Sequence, residues 1–129
     1  MEPLFISASP TSPEIDFRFG EDTLSIRGES YPENAAAFYG PVFERVKQYL
    51  ATRKRAEITV NVSLAYFNSS STKMLFILFG ALNDAAMAGN RVCLNWYHDE
   101  DDETLLEFGQ ELRDDFQALD FCSHPLDGN

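Results

Sequence analysis

Hydroxyl side chains are concentrated in one short segment of the chain. Ser69, Ser70, Ser71 and Thr72 follow one another directly after Asn68. An alternating, strand-like stretch precedes this run and an apolar, helix-like stretch follows it, so a helix is expected to begin here. Free backbone N–H groups and the positive end of the helix dipole make such a position favourable for a phosphate group. The segment therefore suggests phosphorylation of a hydroxyl at a strand-to-helix junction.

A structural role explains the same residues. Serine and asparagine are preferred N-cap residues, and a helix beginning here needs one. Capping requires a single side chain, whereas the chain supplies an asparagine followed by four hydroxyls. Composition alone leaves both interpretations open.

The residues after this run, Met74 to Phe79, are apolar without interruption. A helix that packs on one side only needs a single apolar stripe. The segment is therefore expected to be sandwiched within the core, which we favour, or to expose part of its surface to a protein partner. In the second case a phosphate at its N-terminus would lie beside the docking surface.

Other signatures of chemistry are missing from the sequence. It contains no glycine-rich phosphate loop, no cysteine pair at zinc spacing and no G-x-S-x-G motif. His98 and His124 are predicted to be surface histidines. The acidic run 99–103 is better explained as the start of a helix, which carboxylates stabilise, than as a metal site. We therefore expect no metal, no cofactor and no enzymatic activity; a hydrolase using the serine cluster would lack an evident base.

Charge and cysteine usage restrict the partners and the compartment. The net charge is −11, and the only basic cluster is Arg53–Arg55, which argues against nucleic acid or an anionic membrane as a partner. No segment reaches the roughly 20 apolar residues of a membrane span. The N-terminus lacks the basic and apolar regions of a signal peptide. Cys93 and Cys122 are expected to be free thiols, consistent with the cytoplasm.

Periodicity gives the order of elements. Strands are predicted where apolar and polar residues alternate, and helices where apolar residues recur every three or four positions. The predicted strands are Ile15–Phe19, Leu24–Ile26, Ile58–Leu64 and Val92–Trp96. The first predicted helix follows Pro32, is kinked at or begins at Pro41, and has its apolar stripe between Tyr39 and Leu50. The second follows the turn Tyr66–Ser71 and ends at about Ala88, and the third begins at about Asp101 and has its stripe between Leu105 and Phe116. The short apolar run Leu4–Ile6 allows an additional N-terminal strand.

This order predicts one α/β domain over residues 1–129, with a core of about 14–118 and a frayed tail at 119–129. Its sheet is expected to be mixed, with an N-terminal hairpin followed by a βαβαβα arrangement. Because the strands alternate rather than being apolar throughout, the helices are expected to cover mainly one face of the sheet.

Three segments together resemble the SiaC family of bacterial regulatory phosphoproteins. They are Gly28–Asn34, Tyr66–Ser71 with its following helix, and Asn95–Tyr97, and the resemblance extends from about Ile15 to Phe116. It implies a fold similar to the STAS domains of anti-sigma factor antagonists. It also implies a phosphoprotein that is the substrate of a Ser/Thr protein kinase and of a PP2C-type phosphatase. When unphosphorylated, such a protein activates a diguanylate cyclase and so affects cyclic-di-GMP synthesis and biofilm formation.

The resemblance also selects residues. The phosphoacceptor of the family follows the asparagine after the strand, which here is Ser69, with Ser70, Ser71 and Thr72 as alternatives. The residues expected to bind the partner are Asn68, Ser69, Ser70, Thr72, Lys73, Tyr31 and Asn34. A STAS-type module that binds a small ligand or nucleotide is the alternative function.

Overall fold

The fold comes from a computed structural model, in which residues 1–126 are described. Six strands and three helices follow one another along the chain. They are β1 (Leu4–Ile6), β2 (Glu14–Arg18), β3 (Thr23–Ser30), α1 (Ala35–Ala51), β4 (Glu57–Phe67), α2 (Ser69–Met87), β5 (Arg91–Asp99), α3 (Glu103–Asp115) and β6 (Asp120–Leu126), with a 3-10 turn at Phe19–Glu21.

All six strands form one sheet, in which their order in space is their order in sequence. The pairs β1–β2 and β2–β3 are antiparallel, and the second is the predicted hairpin. The pairs β3–β4, β4–β5 and β5–β6 are parallel, and each is joined by one helix. The prediction of a mixed sheet in an α/β fold is confirmed.

The helices cover one face of the sheet. Along β4, the side chains of Ile58, Val60, Val62 and Leu64 are buried, while the residues between them are partly exposed. The same alternation holds along β5. The prediction that the helices lie mainly on one face is therefore confirmed.

Helix α2 is apolar because it is the central helix of that layer. Phe76 contacts Phe108 of α3 with ring centroids 5.4 Å apart, and α1 contacts α2 on its other side. Leu75 and Phe79 are fully buried, whereas Ile77 is 54% exposed. The favoured prediction of core burial thus describes most of the segment.

The predicted frayed tail is wrong for residues 119–126. Leu119 is buried, and β6 pairs in parallel with β5 from Cys93–Asp120 to Asp99–Leu126. The strand was missed because it is short of apolar residues and contains Pro125, features that an edge strand tolerates. Residues 127–129 of the predicted tail lie outside the described part of the chain.

The prediction of a surface position for His98 is also wrong. Its side chain is only 4% exposed and lies on the helix-covered side of β5. One ring nitrogen is 2.9 Å from the Asp99 carbonyl oxygen, and the other is 2.9 Å from the Ser123 hydroxyl on β6. The histidine is buried because β6, which the sequence did not predict, supplies its partner.

Candidate functional site

The junction between β4 and α2 is built around Asn68. This residue has an extended backbone, and its side-chain oxygen accepts a hydrogen bond from the Ser71 N–H at 3.0 Å. It is therefore the N-cap of α2, and Ser69 is the first helical residue. The capping role that the sequence allowed for this segment is therefore performed by Asn68, and the hydroxyl groups of residues 69–72 are not needed for it.

The four hydroxyls differ in accessibility. Ser69 and Ser70 are exposed, Thr72 is partly buried and Ser71 has no exposed surface. The Thr72 hydroxyl donates to the Asn68 carbonyl oxygen at 3.1 Å. Of the four, only Ser69 and Ser70 therefore present their side chains openly to solvent.

A buried chain of hydroxyls holds the first turn of α2 in place. The Ser30 hydroxyl at the end of β3 donates to the Ser71 Oγ at 2.8 Å and also lies 2.6 Å from the Tyr39 hydroxyl of α1. Burial raises the pKa of Tyr39, an effect that the hydrogen bond with Ser30 opposes. The chain therefore connects β3, α1 and α2 directly below the exposed serines.

Sequence reasoning missed Ser30 and Tyr39 as parts of this arrangement. The available signal was Ser30 itself, a polar residue at a position of β3 that continues the buried side of Leu24 and Ile26. A buried hydroxyl requires a partner. The partner's identity depends on how α1 and α2 pack, which periodicity does not specify.

Several of the predicted partner-binding residues lie together. The backbone N–H of Asn68 donates to the Ser30 carbonyl at 3.1 Å, which places Tyr31 beside the junction. Tyr31 packs edge-to-face against Tyr66, with ring centroids 5.6 Å apart. Lys73 is exposed and lies four residues after Ser69, one helical turn along α2. The structure thus brings Tyr31 and Tyr66 together beside the start of α2.

Asn34 has a local role. Its side-chain oxygen accepts from the Ala37 N–H at 3.0 Å, so it is the N-cap of α1. Its helix is tied to the junction through Tyr39. The structure thus gives Asn34 a capping role and leaves partner binding by this residue as a prediction.

The junction belongs to the carboxyl edge of the parallel strands. All three helices begin at this edge, and Asp102 caps α3 by accepting from the Leu105 N–H at 3.0 Å. The acidic run is therefore a helix start, as predicted. A cleft of about 540 Å³ opens at the same edge. It is lined by Arg27, Gly28, Glu29, Ser63, Leu64, Ala65, Asp99, Asp102, Leu105 and Leu126.

Both imidazoles are held within the β5–β6 region. His98 bonds to Ser123, as described above, and His124 lies 2.9 Å from the Asn95 side-chain oxygen and stacks on Tyr97. Within residues 1–126, no group of three or more His, Cys, Asp or Glu side chains is arranged to hold a metal ion. None of the helices in this range is long and apolar enough to cross a membrane. The accessible chemical groups of the junction are therefore the hydroxyls of Ser69 and Ser70.

Comparisons with a family model, a related sequence and solved structures show which proteins this chain is similar to. The model of the SiaC family, described as regulatory phosphoproteins, matches residues 6–126. An uncharacterized protein of Pseudomonas aeruginosa strain UCBPP-PA14 is 32% identical over 126 residues, which cover 98% of this chain and 94% of that protein.

Two solved structures are also similar. The apo form of SiaC from P. aeruginosa superposes with a TM-score of 0.88 at 30% identity, covering 96% of this chain and 99% of that one. SiaC from the same organism, in a complex with the diguanylate cyclase SiaD that it activates, gives a TM-score of 0.88 at 30% identity, with 95% and 99% covered.

Proposed function

This chain belongs to the SiaC family of regulatory phosphoproteins, and from that premise we propose that it is a non-enzymatic switch that binds and activates a diguanylate cyclase. The unphosphorylated chain binds the cyclase and promotes cyclic-di-GMP synthesis, which favours biofilm formation. A Ser/Thr protein kinase phosphorylates Ser69 and releases the cyclase, and a PP2C-type phosphatase reverses this step. Because the kinase and the cyclase both consume nucleoside triphosphates, we place the exchange in the cytoplasm.

The single observation that carries the proposal is the position of Ser69. It is the exposed first residue of α2, directly after an asparagine that already caps the helix. The first backbone N–H groups of a helix have no partner within the helix, so they favour a phosphate at this point. The structural likeness to SiaC, which activates the cyclase SiaD, supports the choice of a cyclase as the effector.

Burial separates the candidate acceptors. Phosphorylation of Ser71 would require a fully buried hydroxyl to leave its hydrogen bond with Ser30. Thr72 is partly buried and bonded to the carbonyl of Asn68. Ser70 is as accessible as Ser69, and the preference for Ser69 rests on the family resemblance, in which the phosphoacceptor directly follows the asparagine.

Phosphorylation releases the effector through charge and hydration. A phosphate adds about −1.5 to −2 charges at neutral pH to a chain whose net charge is already −11. It also places a strongly hydrated group where the cyclase must exclude water. Both effects oppose the bound state, and Lys73 is the nearest cation along α2 that would compensate for part of the added charge.

The proposal is tested by titrating a purified SiaD-type cyclase of the source organism with variants of this chain. Ser69→Ala should stimulate cyclic-di-GMP formation as the wild type does. Ser69→Glu should bind the cyclase about tenfold more weakly or worse, because it introduces a negative charge at the position of the proposed phosphate. Gln48→Glu is the control, because it adds one negative charge at an exposed position near the C-terminal end of α1, away from the junction, and should retain binding. Equal binding by Ser69→Ala and Ser69→Glu would contradict the proposed switch.

A further inference from the structure

Tyr66 is an exposed aromatic residue that the fold does not use for its core. Its side chain is 52% exposed. It lies near the end of the ladder between β3 and β4, where it is paired in register with Glu29. The ring of Tyr31 packs against its edge at 5.6 Å between centroids and so limits its rotation. A tyrosine held in this way loses little conformational entropy on binding, a property of residues that dominate protein interfaces.

The surface beside Tyr66 is acidic. Its register partner Glu29 and its chain neighbour Ala65 both line the cleft at the carboxyl edge, together with Asp99 and Asp102. The single cation in the lining, Arg27, already forms an ion pair with Glu14 at 3.2 Å. The cleft therefore carries a net negative charge, and two of its lining residues, Glu29 and Ala65, are the register partner and the chain neighbour of Tyr66.

Position connects this surface to the switch. Tyr66 is separated from Ser69 only by Phe67 and the capping residue Asn68. The next exposed apolar residue of α2, Ile77, lies eight positions after Ser69, which is about 12 Å along a helix. A phosphate on Ser69 would thus act directly on a contact made by Tyr66 and only remotely on one made by Ile77.

We infer that Tyr66, positioned by Tyr31, anchors the effector, and that the effector segment it receives presents an apolar side chain flanked by lysine or arginine. The apolar side chain packs on the two rings, and the basic side chain pairs with Glu29 and Asp99 in the cleft. Complementary charge of this kind sets the partner and speeds the encounter. Since the effector's basic groups are matched by these carboxylates, a phosphate on Ser69 adds bulk and like charge without gaining a partner on the effector.

This inference rests on the proposed function and deepens it, and the same purified SiaD-type cyclase of the source organism is the probe. Affinity for the unphosphorylated chain is measured by calorimetry at two salt concentrations. Tyr66→Ala should weaken binding about 10- to 30-fold, the usual loss for an interface anchor, whereas Tyr66→Phe keeps the ring and should bind as the wild type does. Phe5→Ala is the matched control, because Phe5 is also an exposed aromatic residue, at 60%, but lies on β1 at the far edge of the sheet.

The charge argument has its own pair of variants. Glu29→Lys should weaken binding several-fold and reduce the loss of affinity between low and high salt, because one attractive pair is removed. Glu44→Lys makes the same charge change at an exposed position of α1 and should alter neither. Melting temperatures of all variants verify folding.

Three failures are distinguishable. If the wild-type chain binds no cyclase, the proposed function fails and this inference fails with it. If the wild type binds and Tyr66→Ala binds equally well, the anchor is wrong while the proposed function stands. A loss of affinity in Glu44→Lys equal to that in Glu29→Lys would overturn the assignment of the acidic cleft.

Discussion

At the scale of single residues, the hydroxyl run 69–72 divides into two functional parts. Asn68 performs the capping, Ser71 joins the buried chain with Ser30, and Ser69 faces solvent. Adjacent hydroxyls can be buried and exposed in this way because successive residues of a helix point about 100° apart around its axis. A modification site and its structural support can therefore occupy neighbouring positions.

This division predicts different effects on stability for the two kinds of serine. Ser71→Ala removes a buried hydrogen bond and should lower the free energy of unfolding by about 1–3 kcal/mol. Ser69→Ala removes an exposed hydroxyl that does not cap the helix, and should change it by about 0.5 kcal/mol or less. Urea denaturation followed by circular dichroism measures both. Equal effects of the two substitutions would show that Ser71 is not held as described.

At the scale of elements, the sequence predicted most of the framework. The alternation in β2–β5 and the helical spacing of α1–α3 were sufficient, since each element has one face toward a common core. Strand β6 was missed because the residues of this exposed edge strand do not alternate between apolar and polar side chains. The burial of His98 was missed for the same reason, as its hydroxyl partner Ser123 lies on β6.

The contact between α3 and β5 gives a prediction at this scale. A Cβ at Gly109 would lie 2.9 Å from Trp96 Cδ1, whereas a Cβ at Gly80 in α2 would meet its nearest neighbour at 3.8 Å. Gly109→Ala should therefore destabilise the protein by about 1–3 kcal/mol through overpacking. Gly80→Ala should stabilise it by up to about 1 kcal/mol, because alanine is the better helix former.

Thermal or urea unfolding of the two glycine variants provides the measurement, with each serving as the control for the other. Both substitutions make the same chemical change within a helix. The expected opposite signs isolate the close approach of α3 to Trp96. Stabilisation by Gly109→Ala would mean that α3 lies farther from the sheet than described.

The candidate site could be predicted only in part. The strand-to-helix junction followed from periodicity, and the choice of Ser69 followed from the family resemblance. The pairing of Tyr31 with Tyr66 and the hydroxyl chain through Tyr39 could not be predicted. These contacts join residues that are far apart in sequence, and they depend on the order of strands and the packing of helices.

At the scale of the whole molecule, the core and the candidate site lie on different parts of the sheet. One face of the sheet carries the helices and the core, and the carboxyl edge collects three helix starts, an acidic cleft and the exposed serine. The net charge of −11 favours a partner with a basic surface and makes further negative charge at this edge unfavourable to binding. The proposed switch, in which one phosphate changes the affinity of an existing surface, would act at this edge.

The most direct test of this account is the affinity of the cyclase for the chain carrying phosphoserine at position 69, installed during translation. Calorimetry should show binding about tenfold weaker or worse than that of the unmodified chain, because the phosphate must be dehydrated in the interface. Treatment with a PP2C-type phosphatase should restore the original affinity. Equal affinity of the phosphorylated and unmodified chains would contradict the central claim that Ser69 controls the effector.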